Sequence, residues 1–596
     1  MAIASGLGRQ RYLDSARPAL GVFLALGLAA PTLAQAPPLP TREDLAVGQD
    51  LSRERASRLA VEGDIERGPC PFADPSFAET RVNFSTVEFT NLPGVPAAAL
   101  DHAWRPYAGS QQPISALCEV RDRAASTLRA MGYLAAVQIP PQRIASGGSV
   151  LLDVLAARLV EVQVRGAAGN SAGLIAAHLE RLTQREWFNT REAERHLLLL
   201  EDLPGFDVRL VLQSANGAPG DVVGDVVVTR RPFEASIGGQ NLGARPTGRE
   251  GLFAALTAND LTGMGDRTSV SYYNTVDWSE QRILSVSHDM ALNADGLRLG
   301  AGLLLGHSEP DLGGAPFEAD TFSVNVNLSY PLLRRQEHSL FAAVGFEAVD
   351  QELSFGDTQL NDDQLRLFFA RLDHQAVDPQ SLHGSGGFSG LEPRWRSAMA
   401  LELRHGIDGL GASDDCDPIA DCLAPNLPIS NFTADPSAFV ARFDGQFEFR
   451  PAPLLTIAGR YMAQASGGSL LSYEQASLGN YTIGRGFEPG VAVGDHAIGT
   501  SLELRYGSPF PRRSNALALV PFVFFDAGRA WADSAATRDP RRVLSAGGGL
   551  RGRWGEWGDF GVTLAVPLER AGFQAKRPDP RLLFTITTRV LPWGER

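Results

Sequence analysis

The sequence predicts an α+β region followed by a transmembrane antiparallel β-barrel of about sixteen strands, and three observations carry this. From Phe233 onward, short segments alternate apolar and polar residues with period two. The runs Phe322-Ser323-Val324-Asn325-Val326-Asn327-Leu328-Ser329-Tyr330, Met399-Ala400-Leu401-Glu402-Leu403-Arg404 and Leu502-Glu503-Leu504-Arg505-Tyr506 are the clearest. One face of such a strand suits lipid and the other suits water. No run reaches the roughly 18 apolar residues of a spanning helix, so a membrane form of this chain crosses with strands closed on themselves. Ahead of the alternating region, a β-α-α-β-β order occurs twice, over 80–158 and 159–231.

The chain begins as an exported one does. Residues 1–34 read as a signal peptide, with basic Arg9, Arg11 and Arg17, an apolar core over 19–30, and cleavage expected after Ala34. At 596 residues the chain is too long for one ordinary domain. It carries 54 basic and 68 acidic residues, a net charge of −14, which argues against a nucleic-acid partner. An exported protein meets oxidising conditions, so its four cysteines are expected as two disulfides, Cys70 with Cys118 and Cys416 with Cys422. A zinc site at Cys416 and Cys422 is the weaker alternative, because the spacing is wrong and no histidine is near.

Residues 35–79 form a leader with a Pro-rich start and a polar helix. Thr41 with Asp44 makes a capping box, while Leu45, Leu51 and Leu59 give only a thin apolar stripe. These residues leave open a helix in a wet lumen or a disordered leader. Over 80–158, strands are expected at 81–84 with 87–89, at 136–140 and at 150–154, and the second helix at about 114–131. Over 159–231, a strand at 160–164 precedes a helix at 172–182. A second helix is capped by Asn189 with Glu192 and ends near Leu203-Pro204-Gly205, and strands at 208–212 and 222–228 close the sheet.

The barrel occupies 232–596. Its strands are expected to start near 233, 250, 266, 281, 297, 321, 338, 363, 395, 438, 453, 498, 517, 542, 557 and 581, each about 9–11 residues long. Turns on one side are short, as at 293–296 and 334–337, and loops on the other are long, as at 407–437 and 465–497. Short turns face the periplasm in such barrels and long loops face outward. The loop 465–497 carries Gly484-Arg485-Gly486-Phe487, and a later strand carries Phe524-Phe525-Asp526-Ala527-Gly528. A lone aspartate in an apolar strand needs a partner, because a buried unpaired carboxylate is costly. Arg485 and Asp526 are therefore expected as one ion pair that pins the loop inside the barrel.

The two motifs resemble those of two-partner secretion transporters, the hemolysin-activator and filamentous-hemagglutinin-transporter type within the POTRA-bearing barrels. That family carries a Val-Arg-Gly-Tyr-like loop motif and a Phe-x-Asp-x-Gly strand motif. Here Gly484 stands before the arginine and Phe487 replaces the tyrosine, leaving charge and ring in place. The run from Gly132-Tyr133 to Gln142 looks like a first POTRA domain, and 159–231 like a second. The stretches Leu261-Thr262-Gly263-Met264-Gly265-Asp266 and Gly406-Ile407-Asp408-Gly409-Leu410-Gly411 resemble a first turn and a ninth-strand end. The tail after Val590 departs from the usual terminal aromatic.

The resemblance implies a Gram-negative outer-membrane translocator with its POTRA domains in the periplasm and a plug helix in the leader. It implies an unfolded exoprotein partner, adhesin or hemolysin-like, and insertion by the barrel assembly machinery. A barrel assembly factor and a passive porin are the alternatives, and a binding-only adhesin is weaker still. No catalytic function, cofactor or metal is expected. Gly547-Gly548-Gly549 lacks a following Lys-Ser or Lys-Thr, no Gly-x-Ser-x-Gly elbow stands where a hydrolase needs it, and no histidines sit at i,i+4. Asp414, Asp415 and Asp417 read as a solvated acidic loop rather than a calcium site.

Overall fold

The computed structural model describes residues 39–46, 61–62 and 69–591, except 185, 216, 383, 423–426, 514, 534–540, 572–573 and 575. The expected signal at 1–34 and most of the leader at 35–79 lie outside the described residues.

Sixteen strands run in sequence order around a closed antiparallel barrel, from Phe233–Gln240 to Arg581–Leu591, which pair with each other to shut it. The alternation explains the geometry. In the strand Phe317–Arg334, Phe322, Val326, Leu328 and Tyr330 are exposed on the outer face, while Ser323, Asn325 and Asn327 line the lumen. The same rule places Leu401 and Leu403 outside with Glu402 and Arg404 inside. It also places Leu502 and Leu504 outside with Glu503 inside.

Several strands exceed the expected length, and three do so by the most. Phe317–Arg334, His338–Phe355 and Thr358–Val377 have 18, 18 and 20 residues, and the first and third begin at 317 and 358 rather than near 321 and 363. Beyond the bilayer the alternation changes phase. Val349, Leu353, Leu365 and Leu367 turn inward and are buried, while Asp350, Glu352 and Asp362 turn outward into water. The turn between the second and third of these strands is only residues 356–357, and the connection 378–394 at the opposite end is long. Short and long connections are thus not strictly sorted between the two ends.

Two α+β modules precede the barrel. In the first, Gly148–Ala156 is the central strand, parallel to Phe84–Thr90 and antiparallel to Ala135–Gln138. The expected first strand is broken at Asn83, where Arg81–Val82 leaves to pair with Gln112–Pro113. The helix Ala116–Ala130 packs Leu117, Val120, Ala124 and Leu128 onto the sheet beside Phe84, Val150 and Leu152. Cys70 is disulfide-bonded to Cys118 at the start of that helix. The second module orders Phe206–Ser214, Asp221–Arg230 and Arg158–Gly166, covered by the helices Ala172–Thr183 and Thr190–Glu201. Asn189 caps the latter helix by accepting from Arg191 N at 2.9 Å. The leader residues Val61–Glu62 pair in parallel with the outer edge of Phe206–Ser214.

The second module is bound to the barrel by buried charge. Asp260, fully buried in a barrel turn, accepts from Ser171 Oγ and from Asn170 N, the latter at 2.8 Å, and pairs with Arg230 at 3.2 Å. Arg334 forms a two-pronged bridge to Asp202 at 2.6 and 2.7 Å. His178 is 2% exposed in this module, and neither its Nδ1 nor that of His196 has a hydrogen-bond partner.

Burial pushes the His178 imidazole down to about 4, assisted by His196 and Arg181 and opposed by Asp295. His196 is also lowered, by burial and then by Arg181 and Arg195. A histidine held neutral by the fold stabilises fully above its unfolded value of 6.5, and that stability is lost as pH falls toward its folded value. The module is expected to lose about 2 kcal/mol between pH 7 and pH 5 from His178 alone. Hydrogen exchange of the helices over 172–201 at the two pH values measures the loss. His178→Phe should flatten the difference, and an unchanged pH response in that variant would remove His178 as its source.

Candidate functional site: a loop locked to the inner wall

The connection 467–495 is the sixth on the side away from the modules, and it folds back into the lumen. Its legs pair as the short antiparallel strands Ala476–Leu478 and Ala492–Gly494. Between them the chain turns tightly: Thr482 Oγ1 donates to Ser477 O at 2.7 Å and Phe487 N to Gly484 O at 2.9 Å, across Arg485. Gly484 has φ +121°, a conformation that side chains rarely adopt. A Cβ on Gly486 would stand 2.8 Å from Pro567 N and from Ser545 Cβ, so only glycine lets the loop lie against the wall.

That contact delivers Arg485 to Asp526, which is 0% exposed. Arg485 Nε and Nη2 donate to the two carboxylate oxygens at 3.0 and 2.6 Å, and the Arg485 backbone N donates to Oδ2 at 2.9 Å. Ser545 Oγ completes the shell of Asp526 at 3.3 Å. The remaining guanidinium hydrogens go to Ser501 Oγ at 2.7 Å and to Glu503. The planar group lies 3.6 Å from the centroid of the Phe524 ring, so it is also held by cation–π attraction. Every polar atom of the buried carboxylate is therefore matched, the condition under which a buried ion pair is tolerable.

The other motif residues pack rather than bond. Phe487 is 1% exposed among Ile483, Leu478, Ala530 and Val543. Gly528 leaves room for Leu478, whose Cδ1 would be 3.0 Å from a Cβ there. Cys416 and Cys422 are bonded to each other in the preceding long loop, far along the chain from the arginine. They pack in a cluster with Ile429, Leu365, Leu471 and Tyr473. That loop is tied to the locked one by Asn431 Nδ2 to Leu470 O at 3.1 Å and Asp435 N to Ser469 O at 2.9 Å. Together the two loops cover the mouth opposite the modules.

The sequence reading missed a second cluster. Arg404, with a side chain 3% exposed, donates to Glu474 of the locked loop at 2.8 Å, to Glu402 at 3.0 Å and to Glu347 at 2.7 Å. Arg442 joins Glu474 at 3.4 Å, and Tyr473 OH donates to Glu347 at 2.8 Å. The leader enters here. Its short helix Arg42–Leu45, with the Thr41–Asp44 capping box, presents Arg42 to Glu402 at 2.8 Å and buries Leu45. Glu503 was missed likewise, although three arginines (485, 505 and 551) converge on it. The available signal was opposite charge at i,i+2 on the lumen face, in Glu402 with Arg404 and in Glu503 with Arg505.

Below these locks lies a lumen cavity of about 2560 Å³, open toward the second module and lined by Leu203, Gly205 and Arg209 as well as barrel residues. A closed sixteen-stranded barrel, α+β modules at one mouth and a self-inserted loop at the other define a class: outer-membrane transporters of the POTRA-barrel type. The chain belongs to the haemolysin secretion/activation protein family ShlB/FhaC/HecB, whose model matches residues 223–552. The heme/hemopexin transporter protein HuxB of Haemophilus influenzae strain 86-028NP is 24% identical over 262 residues, 41% of this chain and 44% of that relative. The match thus spans less than half of the relative's length.

Among solved structures, CdiB from Escherichia coli superposes with a TM-score of 0.67 at 17% identity, covering 89% of this chain and 94% of its own. CdiB from Acinetobacter baumannii gives 0.58 at 14% identity over 88% and 91%. BamA from Haemophilus ducreyi lacking POTRA domains 1–3 gives 0.50 at 14% identity, covering 85% of this chain and 100% of its own. At such identities the likeness describes the fold alone.

Proposed function

We propose that this protein exports an unfolded exoprotein across the outer membrane by two-partner secretion. In this reading residues 80–158 and 159–231 are periplasmic POTRA domains that capture the partner. The leader at 35–79 is a plug that withdraws, and the partner threads through 232–596 to fold outside. The observation that carries the proposal is a barrel lumen entered from one side by its own loop and by leader residues 39–46, each held by an ion pair, with a large cavity beside the modules below them.

The modules support capture. Arg158–Gly166 is a sheet edge with exposed Val160 and Val164, and such an edge accepts an extended chain by strand addition while adjacent side-chain pockets give preference. Insertion by the barrel assembly machinery would read the last strand, Arg581–Leu591. The partner is of adhesin or hemolysin-like type. No reaction, cofactor or metal enters the proposal.

The test compares culture medium from cells with and without this gene. Loss of one large secreted protein from the medium, with other outer-membrane barrels at normal level, is the expected result. A general fall in outer-membrane barrels would identify an assembly factor. A change confined to small-solute uptake would identify a porin. Either outcome would overturn the export reading.

A further inference from the structure

The chain as a whole is acidic, at −14, but its lumen cavity is not. Seventeen arginines and eleven carboxylates line that cavity among the described residues, an excess of 17 − 11 = 6 positive charges. The excess is concentrated on one side. Glu448 is shared by Arg396 at 2.7 Å, Arg505 at 2.7 Å and Arg450 at 3.5 Å. On the rim, Arg512 and Arg513 are exposed and have no ion-pair partner among the described residues. The facing wall, contributed by strands in the first half of the barrel, is mainly hydroxyl and amide, with Ser271, Ser287, Asn325 and Asn327, and its Arg267 and Arg298 are both paired with Asp289.

We infer that this vestibule is a receptor for acidic stretches of the passing polypeptide, which it draws in and orients between a guanidinium wall and a hydroxyl–amide wall. The inference rests on the export reading and adds to it the chemical class of the cargo segment. An extended chain brings unpaired backbone amides, and short hydroxyl and amide side chains satisfy them without regard to sequence. Carboxylates are selected by the opposite wall, because guanidinium groups bind them with two parallel hydrogen bonds. A concave wall of one sign also focuses the field into the cavity, which raises the local concentration of the opposite charge. Where several guanidinium groups share one carboxylate, an incoming carboxylate relieves repulsion among cations already held together. A lysine-rich stretch meets the same wall as a barrier, so the device discriminates by rejection as well as attraction.

The experiment uses the full chain in detergent micelles and three fluorescent peptides of equal length, built from Asp/Ser, Gly/Ser and Lys/Ser. Anisotropy titrations are run at low and high salt. The Asp/Ser peptide should bind roughly tenfold more tightly than the Lys/Ser peptide at low salt, and the gap should shrink at high salt. Arg512→Glu/Arg513→Glu changes exposed side chains that hold no partner, so the barrel folds as before. This variant should abolish most of the preference. Equal binding of the acidic and basic peptides overturns the proposal, and so does an undiminished preference in the variant. Secretion is not part of the readout, so failure of the export reading in the medium comparison is separable from failure here.

Discussion

Arg485→Ala is expected to destabilise the barrel by about 3–5 kcal/mol, the usual cost of removing one partner of a buried pair. The cost should fall almost wholly on Asp526. Glu503 keeps Arg551 and Arg505, whereas Asp526 keeps no cation among the described residues, but the backbone N–H of residue 485 and the Ser545 hydroxyl. The reverse change, Asp526→Ala, should cost less, because Arg485 retains Glu503 and Ser501. The double variant should therefore be more stable than Arg485→Ala alone. Thermal melting of the full-length protein in detergent measures all three. Equal losses from the two single changes would show that the asymmetry of partners is not what governs the site.

The same series separates structure from transport. If Arg485 only holds the loop, the double variant should regain secretion along with stability. If the guanidinium also shapes the path, secretion should stay low in the double variant at a normal level in the membrane. Wild-type secretion by Arg485→Ala present at normal level would refute a transport role.

The strand region was legible because lipid outside and water inside impose period two, and a lipid-out reading locates strands wherever both conditions hold. Within 317–377 it found the strands but fell short at their outer ends, for a physical reason. Past the bilayer, water lies outside, and the covering loops pack inside, so Leu353, Leu365 and Leu367 reverse the pattern and look like loop sequence. Arg485 stood out because glycines flank it and because Asp526 is a lone charge in an apolar run. Glu347, Arg404 and Glu474 did not stand out. Each sits where a lumen residue facing water would sit, and only the return of a loop 70 positions later turns water-facing charge into buried charge. Arg42 was hidden for the same reason: a four-residue helix with a thin apolar stripe carries no local sign of the carboxylate, 360 positions away, that receives it.

Arg404→Met tests that second cluster and should have the other large effect. Glu474 would keep Arg442 at 3.4 Å, and Glu402 would keep Arg42 at 2.8 Å and Arg371 at 3.2 Å. Glu347 would keep only the hydroxyls of Tyr473 and Ser323, so a buried carboxylate loses its one close cation. A loss of about 3–5 kcal/mol is expected, with Glu347→Gln in the same chain restoring much of it. Because Glu474 belongs to the locked loop and Glu402 receives the leader, the change should also loosen both occupants of the lumen. Influx of a large antibiotic excluded by the outer membrane should rise.

Arg42→Ala provides the contrast. Its side chain is 30% exposed and it makes one bridge among the described residues, so melting should move by no more than about 1 kcal/mol while influx still rises. The barrel would then be shown to close by two separable devices, a structural one centred on Arg404 and a removable one at Arg42. Unchanged influx in Arg42→Ala would mean that the leader does not close the lumen, and the loop alone would have to account for the barrier.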